Sequence, residues 1–210
     1  ANCLSQNLKV LYITCEMAEE RIAERIDANL LDTKIGDLKL MPKQNYDAKI
    51  EKLKESVKGK LIIKEYPTAT ASVNHFRALL EELKLKKSFV PDVVFVDYLN
   101  ICTSSRLKQG NVGSYFFVKA IAEELRGLAV ENNIPLFTAT QTNRTGYSNT
   151  DVSLEDTSES FGLPATADFM FALISTEELE ELDQIMVKQL KNRYNDTAVN
   201  KKFILKLDRP

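Results

Sequence analysis

The sequence predicts an α/β protein with a mostly parallel sheet and antiparallel strands added near the carboxyl end. Two observations carry that reading. Short apolar runs alternate with amphipathic helical segments through most of the chain, the order of a parallel sheet covered by helices. Three closely spaced strand-like runs then come last, which fits antiparallel strands at one edge. A third observation concerns chemistry: the apolar runs 9–16 and 92–97 each end on an acid, Glu16 and Asp97. In open parallel sheets ligands sit beyond the carboxyl ends of the strands. Two strands that each deliver a carboxylate to that edge point to a site handling a metal and a reacting water.

The elements follow in order. Residues 8–14 are apolar without strict alternation, as in a strand buried on both faces. Residues 17–31 carry Met17, Ile22, Ile26 and Leu30 at near-helical spacing, with acids in the first turn where the helix dipole favours them. A loop with Gly36 and Pro42 is expected next. Tyr46, Ile50, Leu53 and Val57 predict a helix over 44–58, ended by Gly59. Leu61–Ile63 is a short strand, and Tyr66-Pro67 breaks it. Ser72 is placed to cap a helix whose apolar face is Val73, Phe76, Leu80 and Leu83. Pro91 precedes a strand over 93–98. Residues 103–114 are polar and glycine-bearing, a loop. Phe116, Ile121, Leu125 and Leu128 mark a strong amphipathic helix over 115–131. Pro135 opens a strand over 135–140. Residues 142–164 form a long loop rich in Ser, Thr, Asn and Asp, and loops of that length are usually functional or disordered. Strands at 168–174, 185–190 and 203–208 finish the chain.

The 210 residues suffice for one sizeable domain, and neither a repeat nor a linker divides them, so a single domain over 1–210 is expected. A net charge of −2 and a pI near 5.7 give no global pull toward nucleic acid or membrane. A nucleic-acid function would need local basic loops. Cys3, Cys15 and Cys102 have no close pairing motif and read as reduced thiols in a cytosolic protein. His75 is the only histidine, which argues against zinc, and it reads as structural beside Phe76. No apolar run reaches the ~18 residues of a membrane span, and no signal peptide is visible. The expected location is cytoplasmic, with no membrane partner.

Asp97 follows four apolar residues, Val93 to Val96, the form of a strand whose terminal aspartate holds magnesium through water. The alternative is an aspartate that caps the next element. Glu16 can polarise a water that attacks a phosphate, as a general base; the alternative is a first-turn acid. Gln141, beyond the run Leu136–Thr140, can contact a terminal phosphate through its amide, or merely cap the sheet. Arg193, in Lys191-Asn192-Arg193, suits bidentate phosphate contact; the alternative is a solvated turn charge. Arg106 and Lys108 in one loop, and Arg144, Ser158, Ser160 and Gly162 in the other, can hold a sugar–phosphate backbone. Asp151, Glu155, Asp156 and Glu159 weaken that attraction.

Taken together, the motifs resemble the ATPase domain of hexameric replicative DNA helicases of the DnaB superfamily, closest to the T-even-type phage branch. Tyr12-Ile-Thr-Cys-Glu-Met17 resembles the segment of the catalytic glutamate. Val94-Phe-Val-Asp-Tyr-Leu99 resembles Walker B, and Thr138-Ala-Thr-Gln-Thr-Asn-Arg144 the motif with the phosphate-sensing glutamine. Asp156 to Asp168 resembles a DNA loop returning to a strand, and Lys191-Asn-Arg193 the motif that reaches into a neighbouring subunit's nucleotide. The resemblance spans about residues 8–208. It implies a RecA-like three-layer sandwich, a homo-hexamer, and ATP with Mg2+ between neighbours. Glu16, Asp97 and Gln141 act in cis, with Tyr98 beside the nucleotide; Arg193, helped by Lys191, acts in trans. The loops 103–114 and 142–164, including Ser158, Glu159, Ser160 and Gly162, would face single-stranded DNA. Primase and a helicase loader are the implied partners.

The chain departs from the family pattern in places. It has no G-x-x-x-x-G-K-[ST] phosphate loop, since Gly59-Lys60 is followed by Leu61. The expectation is an amino-terminal truncation, with Ala1 inside the helix that this loop opens, and a chain that stops short of its natural end at Pro210. The amino-terminal primase-interacting domain is not in these residues. Ser158 stands where the family has a basic residue. These 210 residues alone are expected to bind ATP weakly or not at all, for want of the amides and lysine that cradle the phosphates. Two other readings share the carboxylates: a RecA-type recombinase, and an ATPase-dead scaffold in a replication complex.

Overall fold

The computed structural model describes residues 1–108, 110, 112–142 and 162–208. The chain's contacts gather it into two units. The first comprises Ala1–Thr103 and Gly127–Ala139, the second Ser104–Arg126 and, among the later described residues, 140–142 and 162–208.

The first unit is a four-stranded, wholly parallel sheet. Its strands are β1 (Lys9–Thr14), β2 (Lys60–Glu65), β3 (Val93–Asp97) and β4 (Leu136–Thr138), in the order β2-β1-β3-β4. The central strands are apolar on both faces because both are covered: Leu11, Ile13, Val94 and Val96 are buried on one face, Val10 and Val93 on the other. The chain leaves β1 for β2 on one side and then crosses to β3 on the other. The gap between the carboxyl ends of β1 and β3 is therefore the topological switch point, where open α/β sheets bind ligands.

A one-turn helix α1 (Asn2–Ser5) precedes β1, and α2 (Glu19–Leu30) follows it with Glu19 and Glu20 in its first turn. Ile26 and Leu30 pack against the buried cluster of Leu4, Val10 and Val93. The expected loop around Gly36 holds a short helix, α3 (Ile35–Leu40), instead. Pro42 does not interrupt it but caps the next helix, and Asp37 and Lys39 lie at the ends where the dipole favours each charge. In α4 (Lys43–Ser56) the predicted face, Tyr46, Ile50 and Leu53, is half-buried, as is Val57 just after it. Gly59 serves a purpose other than ending that helix. A Cβ there would lie 2.5 Å from the Leu4 carbonyl oxygen and 2.7 Å from Leu4 Cα, so only glycine lets these backbones approach. Helix α5 (Val73–Lys87) buries Val73, Phe76, Leu79, Leu80 and Leu83. His75 is structural as expected: its Nδ1 accepts the Ser72 backbone N–H at 3.1 Å and closes the start of α5.

Helix α6 (Ser114–Asn132) gives its first part to the second unit and its last turns to the first. The second unit also holds α7 (Gly162–Thr166), β5 (Phe169–Ile174), α8 (Glu177–Glu181), β6 (Gln184–Asn192) and β7 (Lys202–Lys206). The antiparallel strands foreseen near the carboxyl end form a three-stranded sheet of their own, β5-β6-β7. A register irregularity in β5 falls between Met170 and Phe171. Ala172 and Ile174 of β5 pack with Met186 and Leu190 of β6. Among the described residues no helix is long and apolar enough to cross a membrane.

Candidate functional site

The parallel register pairs Thr14 of β1 with Asp97 of β3, so Glu16 and Asp97 leave the same edge of adjacent strands at the switch point. The backbone carrying Glu16 is tied down on three sides. The Cys15 N–H donates to the Asp97 carbonyl at 2.8 Å, and Thr68 Oγ1 donates to the Cys15 carbonyl at 2.8 Å. The buried Thr14 hydroxyl donates to the Met17 carbonyl at 2.8 Å and accepts the Met17 N–H at 3.0 Å. That hydroxyl-closed turn leaves Glu16 exposed on a fixed frame.

Asp97 is half-buried, and its Oδ2 accepts the Tyr12 hydroxyl at 2.8 Å. The Asp97–Tyr98 peptide bond is cis. Burial raises the Tyr98 phenol above its ordinary value, and the charges of Glu16 and Asp97 add to that. Cys15 and Cys102 are free thiols, both buried, with sulfurs 3.9 Å apart. The bond from Cys102 lowers the Cys15 thiol, while Cys102 is raised and keeps its proton. Gln141 lies three residues beyond β4, in the segment that belongs to the second unit.

The second unit holds the remaining candidates. Lys191 lies near the end of β6, and Arg193 is the first residue past it. Lys191 Nζ donates to the Pro164 carbonyl at 2.5 Å and the Ala165 carbonyl at 3.1 Å, at the carboxyl end of α7. Burial, then the charge of Arg193, lowers its ammonium below the ordinary lysine value. Arg193 Nη2 donates to the Ala165 carbonyl at 3.0 Å, and its Nε lies 3.1 Å from Asp168 Oδ1. Arg126 Nη1 lies 2.7 Å from the same oxygen and donates to the Thr166 carbonyl at 3.0 Å.

In the loop after β3, Arg106 is bound to helix α6. It reaches Glu123 at 2.8 Å, Glu124 at 3.3 Å and the Ala120 carbonyl at 3.1 Å. Glu124 also accepts the hydroxyls of Ser104 and Ser105 and the Ser105 N–H. Burial by itself raises the Glu124 carboxyl; these donors outweigh it and hold the group below its usual value. Lys108 is exposed, with no hydrogen-bond or ion-pair partner among the described residues. Gly162 opens α7. Arg144, Ser158, Glu159 and Ser160 lie outside the described residues.

Tyr12, Thr68, Glu124, Arg126 and Asp168 are not singled out by the sequence. Tyr12 is hidden as an ordinary strand aromatic, although its place two residues before Thr14 points it along the strand toward Asp97 once the register is known. Arg126 and Asp168 are too far apart in sequence for any local pattern to pair them.

A parallel α/β sheet with two acids at its switch point, followed by a short antiparallel sheet, defines a RecA-like protein. Two solved structures share that fold, each at 18% identity over 93% of this chain. One is a DnaB-like replicative helicase studied with its primase interactions (TM-score 0.74, 48% of that chain covered). The other is an ATPase domain (TM-score 0.72, 70% of that chain covered). The chain belongs to the family of the DnaB-like helicase C terminal domain, whose model matches residues 1–205. It is 50% identical over 208 residues to a DnaB-like replicative helicase of Enterobacteria phage T4, covering 98% of this chain and 44% of that protein. It is 28% identical over 199 residues to a probable plasmid replicative DNA helicase of Chlamydia psittaci, covering 91% of this chain and 42% of that protein. The chain thus spans less than half the length of the curated relatives it matches.

Proposed function

We propose that this chain is the ATPase domain of a replicative DNA helicase, and that its two units, both spanned by the family match, act as one domain. The observation that carries the reading is the Thr14–Asp97 register, which brings Glu16 and Asp97 to one sheet edge at the switch point. Asp97 suits magnesium held through water: Oδ2 is taken by Tyr12, and Oδ1 has no partner among the described residues. Magnesium needs no all-protein cage, since it takes one or two carboxylates plus phosphate oxygens. When bound with ATP it supplies charge neutralisation on the phosphates.

Glu16 is the general base: its exposed carboxylate on a tied backbone can accept the proton of an attacking water. Tyr98, the residue after Asp97 at the end of β3, flanks the nucleotide. Gln141 contacts the terminal phosphate. Lys191 and Arg193 act in trans on the nucleotide of a neighbouring subunit in a homo-hexamer. Single-stranded DNA is held by the loop of Arg106 and Lys108 and by the residues 142–164, including Arg144, Ser158, Glu159, Ser160 and Gly162. Primase and a loader are the proposed protein partners, and the bacterial or phage-infected cytoplasm the proposed location.

The test is Glu16→Gln in the whole protein. ATP turnover is expected to fall by about 10²–10⁴-fold, the worth of a positioned general base, with ATP and DNA binding retained. Undiminished turnover overturns the assignment. A product assay separates the enzyme classes: strand separation supports the helicase, homologous pairing the recombinase.

A further inference from the structure

We propose that Asp168 is the positioning residue of Arg193: it holds the guanidinium in one orientation, ready for a phosphate. The proposal rests on the reading that Arg193 acts on a nucleotide in trans. Arg193 is the first residue beyond β6, where no further strand pairing orders it. A long side chain at such a place would sample many rotamers, yet a residue that meets a reacting phosphate needs one geometry.

Asp168, the residue just before β5, supplies that geometry twice. Its carbonyl accepts the Arg193 backbone N–H at 2.9 Å, which anchors the main chain. Its Oδ1 lies 3.1 Å from Arg193 Nε, which anchors the fork. The Ala165 carbonyl takes Nη2 at 3.0 Å, and among the described residues Nη1 has no partner. One edge of the guanidinium is thereby held by protein and the Nη1 corner is left for a ligand.

Arg126 makes the arrangement electrostatic. Its Nη1 comes within 2.7 Å of the same Asp168 Oδ1, an atom that is buried and makes no well-aligned hydrogen bond. The oxygen is therefore held between two guanidinium charges rather than by directional bonds. Lys191 is the fourth charged group of the cluster: its Nζ donates to the same Ala165 carbonyl that Arg193 Nη2 reaches. Three cations around one carboxylate leave a surplus of positive charge, which suits a polyphosphate. An amide at position 168 keeps the shape but leaves Arg126 and Arg193 to repel each other, so Arg193 swings free instead of being lost.

The experiment is a double-mutant cycle on DNA-stimulated ATP hydrolysis by the whole, assembled protein, with Arg193→Ala, Asp168→Asn, Asp168→Glu and each double variant. Arg193→Ala is expected to lower kcat by about 10³-fold or more, as loss of an arginine finger does. Asp168→Asn is expected to lower kcat about tenfold or more with KM for ATP unchanged, and to add nothing in the Arg193→Ala background. Asp168→Glu, which keeps the charge, should recover most of the loss and still be non-additive; it also serves if the asparagine variant does not assemble. If Arg193→Ala cripples turnover while neither Asp168 variant changes kcat, the positioning role falls and the trans reading stands. If the two losses multiply, Asp168 acts independently of Arg193 and the proposal is overturned. If Arg193→Ala leaves turnover intact, the trans reading itself fails.

Discussion

The Tyr12 hydroxyl donates a 2.8 Å hydrogen bond to Asp97 Oδ2 across adjacent parallel strands. The register makes this contact: Tyr12 is level with Phe95, so its ring lies along β3 and its hydroxyl reaches the strand end two residues on. The ring stacks on Phe95 with centroids 6.0 Å apart, and Phe95 stacks on Phe137 at 5.3 Å, which fixes its direction.

Removing that hydroxyl tests its role in orienting the aspartate. Tyr12→Phe keeps the ring stack and deletes the donor, at a cost of about 1 kcal/mol in stability. In the whole protein the variant should need more magnesium for half-maximal ATP turnover, because one Asp97 oxygen is no longer held. An unchanged magnesium titration would show that Asp97 needs no such anchor.

Alkaline pH should weaken the fold through its tyrosines. The hydrogen bond that the Tyr46 hydroxyl donates to the Asp27 carboxylate at 2.6 Å, ahead of burial, pushes the Tyr46 phenol up to about 12. Burial, then the bond to Asp97, raises Tyr12 still further. A phenol raised above its ordinary value of 10.0 contributes stability that is complete below that pH and is lost as pH rises through the folded value. Urea unfolding followed from pH 8 upward should therefore show stability falling between about pH 10 and 12, with a shallower fall in Tyr46→Phe. Parallel curves for the two proteins would refute the Tyr46 contribution.

The loop cations should divide by role. Arg106 is committed to Glu123 and Glu124, whereas Lys108 is exposed with no partner among the described residues. Lys108→Ala is expected to weaken single-stranded DNA binding and reduce the salt slope of log affinity by about 0.7, one phosphate contact. Arg106→Ala should change that slope little. Glu124→Gln should destabilise the protein by about 2 kcal/mol, since its buried carboxylate organises Ser104, Ser105 and Arg106. Fluorescence anisotropy at several salt concentrations decides the first pair, and equal slopes for both cations would contradict the division.

Much of this arrangement is legible in the chain. β1 and β3 read as strands because burial on both faces leaves a near-continuous apolar run. Helix α5 reads correctly because Ser72, Val73, Phe76, Leu80 and Leu83 satisfy capping and periodicity at once. Helix α3 is not legible because Gly36 and Pro42 are strong turn signals, and nothing local tells that Pro42 starts α4. Gly59 reads as a helix stop, while its need for a bare backbone arises from Leu4, more than fifty residues away in sequence.

By itself, the sequence determined the sheet strands and the long helices α2, α4, α5 and α6, that two strands end on acids, and that Lys191 and Arg193 stand together near a strand end. Those properties depend on local periodicity and composition, which each segment carries alone. Only the tertiary structure decided the partners: Tyr12 on Asp97, Thr68 on the Cys15 carbonyl, Arg126 and Arg193 on one oxygen of Asp168. Such contacts follow from strand register and helix placement, and a shift of one residue in a strand would turn each side chain to the opposite face. The chain names the charged groups; the pairing of its strands decides which of them are held in place and which stay open to a ligand.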